Sequence, residues 1–165
     1  MRKLALAAIL VGLWVGPALG LNYTELYSYL PNLPGFKAGE PTGMTVTTPA
    51  GEMTTAERTY TAEARRLTVR IAVGGMVQGM WFPLTMQVSY DTPEERMESL
   101  KVEGFPAKRI TRKKEKGGTL VILLSRENAS APALFMVECE GLTPSEAQKY
   151  LRYFRLKELA RKLNP

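Results

Sequence analysis

From position 4 to 15 the chain is apolar at every residue except Gly12. Arg2 and Lys3 precede that run, and Gly16-Pro17 and the small-residue sequence Ala18-Leu19-Gly20 follow it. A basic start, an apolar core and a small-residue site form the pattern of a secretory signal peptide, and the core is shorter than the about 20 residues that span a bilayer. Cleavage is therefore expected after Gly20, with 21–165 as a single exported domain. Beyond the leader, Leu26, Tyr27 and Leu30 sit at helical spacing before Pro31 and Pro34-Gly35, which predicts a short helix feeding a turn. The stretch 39–53 is rich in Thr, Gly and Pro with no apolar period and reads as a long irregular connection or loosely ordered strand, with a loop as the expectation.

Strict alternation begins next. Ala56, Arg58 and Tyr60 alternate with Glu57, Thr59 and Thr61; Leu67, Val69, Ile71 and Val73 alternate with Arg66, Thr68, Arg70 and Ala72. These are two strands of a half-buried hairpin. After Gly74-Gly75, the apolar residues Met76, Val77, Met80, Trp81, Leu84 and Met86, interrupted by Pro83, predict a short or broken helix. Pro93-Glu94-Glu95 reads as a helical turn anchored by Met97 and Leu100. Strands are expected over 100–105, 107–112, 119–125 and 131–140, with a polar loop at 113–118. Thr143-Pro144-Ser145-Glu146 is a capping box with Pro at the first helical position. Ala147, Tyr150, Leu151 and Phe154 continue from it, and Leu156, Leu159, Ala160 and Leu163 restart the spacing out of phase, implying a break near Arg155. The expected fold class is α+β: an antiparallel sheet with helices packed mainly on one face and a C-terminal helix closing the core.

Composition narrows the chemistry. The chain of 165 residues has no His, so Ser-His and Cys-His nucleophiles and imidazole metal ligands are excluded. Asp91 is the sole Asp, which removes two-Asp sites; Glu94, Glu95 and Glu98 cluster after it as helix-surface carboxylates do. Cys139 is the single Cys and cannot form an internal disulfide; flanked by Glu138 and Glu140, it reads as a small buried apolar residue. Loss of the leader lowers the net charge from +6 to +4 and leaves Trp81 as the mature chain's indole. Scarce Asn, Gln and Asp point to a thermophilic source.

The leader, Leu30-Pro31-Asn32-Leu33-Pro34-Gly35-Phe36, the strands over 56–60, 67–73 and 120–124, Gly104-Phe105-Pro106-Ala107 and a closing helix ending in Leu159-Ala160 resemble a family of small uncharacterised bacterial exported proteins. More remotely they are similar to the half-sandwich of the photosystem extrinsic P-subunit (PsbP-like) group. That resemblance implies an α+β binding or assembly module and carries over no catalytic residue. The metal-binding His of some members of that group has no counterpart in this chain.

Lys108, Arg109, Arg112, Lys113, Lys114 and Lys116 place six cations in nine residues, opposed only by Glu115. In an exported protein such a basic hairpin would face lipid headgroups, envelope polymers or an acidic protein partner, with possible peripheral membrane contact and no nucleic acid. The plainer role is a solvated tip that protects a sheet edge. A second set, Lys149, Arg152, Arg155, Lys157, Arg161 and Lys162, suits the closing helices. Met76, Met80, Trp81 and Phe82 could form an apolar lip for a ligand, which makes a small-molecule or lipid carrier using the 76–84 region the alternative function. Met76, Met80 and Met86, with Met44 and Met53, could supply thioethers to Cu(I), a remoter alternative. Tyr60, Lys108 and the glutamates around Glu95 are the remaining catalytic materials. The leading expectation is a non-enzymatic module, with no cofactor and no metal, that recognises a protein partner or an anionic surface.

The leader is directly testable. When the full chain is expressed in a bacterium, the recovered protein is expected to begin at Leu21 and to partition into the exported fraction; an intact N-terminus in the cytoplasm would contradict the assignment.

Overall fold

The computed structural model describes residues 22–49, 51–77, 79, 85–125 and 132–164; the leader lies outside them. Nine strands form one antiparallel sheet: β1 (Lys37–Ala38), β2 (Thr42–Thr48), β3 (Gly51–Ala62), β4 (Arg65–Val73), β5 (Tyr90–Asp91), β6 (Glu95–Val102), β7 (Phe105–Arg112), β8 (Gly117–Leu123) and β9 (Ala133–Glu140). Their order is β1-β3-β4-β9-β8-β7-β6-β5, with β2 following β1 along the same edge of β3. The helical pieces are short: α1 (Tyr23–Leu26) with a 3-10 turn at Tyr27–Tyr29, a 3-10 turn at Gly75–Val77, α2 (Pro144–Ala147) with a 3-10 stretch at Gln148–Tyr153, and α3 (Leu156–Leu163).

The expected α+β class is thus corrected: the chain is mostly an antiparallel sheet with small helical pieces. Two misread segments account for much of the difference. The 39–53 stretch, expected as a loop, supplies β2 and the start of β3, because Thr is a strong strand former and cross-strand pairing with β3 compensates for weak apolar alternation. Pro93-Glu94-Glu95 starts no helix. Thr92 instead closes a tight turn, its Oγ1 accepting from the Glu95 amide at 3.1 Å, and β6 begins at Glu95. Of the broken helix expected over 76–86, the Gly75–Val77 turn is described, whereas Met80, Trp81 and Phe82 lie outside the described residues.

The strand patterns that alternate cleanly fold as they read. Leu67, Val69, Ile71 and Val73 of β4 and Phe135, Val137 and Cys139 of β9 share one buried face with Ala56, Tyr60, Leu120 and Ile122. Over it lie Leu26, Tyr29 and Leu30 from the N-terminal turns and Leu151, Phe154, Leu156 and Leu159 from the C-terminal ones. Phe154 sits edge-on to Phe135 and to Tyr60, with ring centroids 5.2 and 6.1 Å apart.

The closing segment turns where the sequence changes phase. Arg155 adopts the left-handed conformation at φ 50°, ends the 3-10 stretch and starts α3. Its guanidinium donates to the Ser28 carbonyl at 2.8 Å and stacks over Tyr29, while Lys162 pairs with Glu25 at 2.8 Å. The two ends of the domain are tied together by these contacts. At the other junction, Gly118 has φ 151°, and a side chain there would meet the Ile110 carbonyl and Pro144, so glycine lets α2 seat on β8.

The capping box forms as read: Thr143 Oγ1 accepts from the Glu146 amide at 3.3 Å, and Glu146 accepts from the Thr143 amide at 2.7 Å. The Thr143 amide and the Lys116 ammonium hold the Glu146 carboxyl down at about 2. A depressed carboxyl stabilises the fold above its unfolded value near 4.5 and stops doing so as pH falls to about 2. Glu146→Gln is therefore expected to flatten the loss of stability between about pH 4.5 and about pH 2 in urea titrations, and an unchanged acid profile would contradict it.

Candidate functional site

The basic hairpin is assembled by β7, β8 and the turn between them, and the fold supplies its counter-charges. Arg109 pairs with Glu98 across the β6–β7 register at 2.9 Å, Lys114 with Glu94 at 3.2 Å and Lys116 with Glu146 at 3.0 Å. Arg112 reaches Glu115 at 3.5 Å and donates to the Cys139 carbonyl at 3.2 Å; Lys113 pairs with Asp91. Asp91 and Glu94 flank the β5–β6 turn and Glu146 starts α2, so acids distant in sequence converge on the same end of the sheet. The run that is nearly uncompensated in sequence is closely neutralised in space.

Lys108 belongs to a different environment. Its neighbour Ala107 is in the core, so alternation along β7 turns Lys108 to the opposite, outer face, where its residue is 1% exposed. Its ammonium donates to the Val88 carbonyl at 3.0 Å, to Ser99 Oγ at 2.5 Å and to the Met86 carbonyl. Burial lowers its pKa. Three neutral oxygens surround the cation with no carboxylate among them, which makes Lys108 a clamp on the 86–88 backbone rather than part of a surface patch.

That clamp follows from topology. β4 ends at Val73 and β5 begins at Tyr90 five strand positions away, about 24 Å at about 4.8 Å per strand. Helical turns occupy the core face, and the described ends of the connection lie on the outer face. Val77 packs with Ala72, Leu123 and Leu134, and Met86 and Val88 meet Lys108. Beneath the 85–87 end is a hollow of 470 Å³ lined in part by Met86, Ser99, Pro106 and Leu123.

The outer face also carries a groove of 410 Å³ across β2, β3, β4 and β9. Met44, Met53, Ala72 and Met136 form its apolar floor and walls, Thr42 and Thr55 its rim, and the Glu57–Arg70 ion pair its polar end. Met44 is 55% exposed. The registers Met44↔Thr55, Glu57↔Arg70 and Arg70↔Met136 put these side chains on one face. Of the apolar lip expected from Met76, Met80, Trp81 and Phe82, only Met76 is described. It is exposed at 37% and lies against Thr48, whose hydroxyl is 3.7 Å from its sulfur. The sequence carries a weak signal for the groove, the Met44/Val46 and Leu134/Met136 alternation, which the Thr content of one strand and the stronger apolar face of the other outweigh.

The remaining candidates stay apart. Tyr60 is buried in the core with its hydroxyl pushed up to about 12 by burial, Glu95 accepts from Tyr90 at the sheet edge, and Lys108 is on the other face from Tyr60. Cys139 is buried and donates to the Gly118 carbonyl at 3.4 Å; burial pushes its thiol up to about 11, away from the thiolate. Among the described residues no three of Asp, Glu and Cys gather as a metal site.

No family model and no curated protein matches the chain. A solved structure of an uncharacterised protein from Mycobacterium smegmatis aligns with 86% of this chain and 94% of its own at 11% identity and a TM-score of 0.40, a likeness too weak to carry an argument.

Lys108 and the hairpin tip should separate in mutagenesis. Lys108→Met removes three charge-assisted hydrogen bonds, to the Met86 and Val88 carbonyls and Ser99 Oγ, and is expected to cost about 2 kcal/mol, with faster amide exchange over 85–90, whereas Lys114→Ala removes one exposed pair worth at most about 1 kcal/mol. Chemical denaturation of both variants measures the difference; equal costs would contradict the assignment.

Proposed function

We propose that this chain is an exported, non-enzymatic binding module that takes a slender apolar ligand, of the acyl-chain class, on the outer face of its sheet. The Met-lined groove at Met44, Met53 and Met136 carries the proposal. Its 410 Å³ lies within the usual range of small-ligand sites, and flexible, polarizable thioethers adapt to unbranched chains. Arg70, ion-paired with Glu57 at the polar end, would meet the ligand's polar head by short-range hydrogen bonding rather than by net charge, with Glu57 holding the guanidinium in place. The export reading rests on the leader, and the binding-module class accords with the family resemblance of the leader, the Leu30-to-Phe36 motif and the strands.

The neutralised hairpin moves support away from recognition through Lys113, Lys114 and Lys116 and toward this apolar face. The 76–84 region, the expected carrier element, starts beside the same face at Met76, although Met80, Trp81 and Phe82 are outside the described residues.

Titration of the methyl-13C-methionine protein with dodecanoate tests the groove residue by residue. The Met44, Met53 and Met136 resonances are expected to shift together and saturably, while Met97 on β6 stays fixed. Unmoved groove methionines would remove the proposal, and sedimentation with anionic vesicles that Lys113→Ala, Lys114→Ala and Lys116→Ala abolish together would restore the hairpin in its place.

A further inference from the structure

β2 is a full-length edge strand: Tyr23 of α1 packs over Gly43 on its core face, and its outward edge pairs with no described strand. It pairs along all seven residues with β3, and no described strand lies on its other side. Its sequence, Thr-Gly-Met-Thr-Val-Thr-Thr, contains no charge and no proline, the devices that ordinarily keep an edge from pairing with another chain. The opposite edge of the sheet is guarded: β5 is two residues long, and its Asp91 is held by Lys113.

The hairpin fixes which groups of β2 are available. Two residues separate Thr48 from Gly51, so that pair closes a tight hairpin and exchanges hydrogen bonds, as then do Val46 with Met53 and Met44 with Thr55. The N–H and C=O groups of Gly43, Thr45 and Thr47 are left directed outward. From these positions we propose that two copies of the chain dimerise through β2, antiparallel about Thr45, to form one continuous sheet.

The strand is self-complementary about that centre. Thr45 would exchange hydrogen bonds with Thr45 of the second copy, and Gly43 with Thr47. Met44 would lie beside Val46 of the second copy on the outer face, and Thr42 beside Thr48. Polar residues meet polar ones, small meets polar, and the exposed Met44 gains Val46 of the second copy as an apolar cross-strand neighbour. No like charges are opposed, since Glu52 and Glu57 lie one strand inward on β3. A two-fold axis makes the contact closed, so pairing ends at the dimer. The inference is independent of the ligand proposed above, although it would place two Met-lined grooves side by side.

Sedimentation velocity of the protein purified from full-chain expression, over about a hundredfold range of concentration, tests it. A monomer–dimer equilibrium is expected. Thr47→Pro deletes an outward N–H that β3 does not use, and Met44→Lys sets a cation beside the axis; each is expected to weaken association at least about tenfold while thermal unfolding stays cooperative. Cα atoms of a hydrogen-bonded antiparallel pair lie about 5.5 Å apart, within disulfide reach, so Thr45→Cys is expected to cross-link under mild oxidation and Ser145→Cys, on exposed α2, not to. A monomer at every concentration, open-ended oligomers, or a dimer that survives both Thr47→Pro and Met44→Lys would overturn the proposal, and Met44→Lys with Thr45→Cys decides it if Thr47→Pro does not fold.

Discussion

The pairing of β9 with both β4 and β8 is the constraint from which the rest of the fold follows. The chain makes two antiparallel blocks, β1 to β4 and β5 to β8, and neither contacts the other along the sheet until the last strand enters between them. β9 is suited to that position because both of its faces are apolar over most of its length: Phe135, Val137 and Cys139 face the helical turns, and Leu134 and Met136 face outward. A strand that joins non-adjacent blocks brings contacts of long sequence separation together at once, and such contacts carry a larger loop-closure entropy than the hairpins on either side.

Because β9 separates β4 from β8, β5 begins five strand positions from the end of β4, and the described ends of the connection between them lie on the outer face, opposite α1, α2 and α3. Gly74, at φ 127°, turns the chain onto that face where a side chain would meet the Glu52 carbonyl, and Lys108 receives its far end. A lysine is an apt clamp for irregular backbone: one compact ammonium offers three donors, and its stem packs beside Val121 on β8. The cost of burying the charge is offset only while all three oxygens stay in reach, so the 86–88 backbone and β7 hold each other in place.

What could be read in the sequence divides along a physical line. The β3–β4 hairpin, the three strands β7, β8 and β9, the capping box at Thr143 and the phase break at Arg155 were legible, because each rests on local periodicity or on a backbone group satisfied within a few residues. The 39–53 segment was not. Edge strands are stabilised by pairing more than by burial, so β2 can be built from Thr and Gly without an apolar face. Pro93 misled for a related reason: Pro followed by Glu begins helices and tight turns alike, and only the adjacent β6–β7 register selects between them. The Met-lined groove left only the weak Met44/Val46 and Leu134/Met136 alternation in one dimension, since Met44, Met53, Ala72 and Met136 come from four strands.

The basic run shows the same division in its electrostatics. Charge density along a chain becomes a surface potential only if no opposite charge is folded beside it. Here the acids come from the β5–β6 turn, from β6 and from the first turn of α2, brought there by strand order. Exposed pairs of this kind add little stability each. Their larger effect is on the field, because a cation within about 4 Å of a carboxylate projects a dipole rather than a charge, and salt screens the remainder within about 10 Å. Long-range attraction of an anionic surface to this end of the molecule is weakened accordingly. The ligand binding proposed for the outer face would instead depend on contact, with shape and apolar area deciding affinity and the Glu57-paired guanidinium of Arg70 at the groove's end setting orientation by hydrogen bonding. A ligand held that way would bind with little dependence on ionic strength, which is the opposite of what the sequence run alone implies.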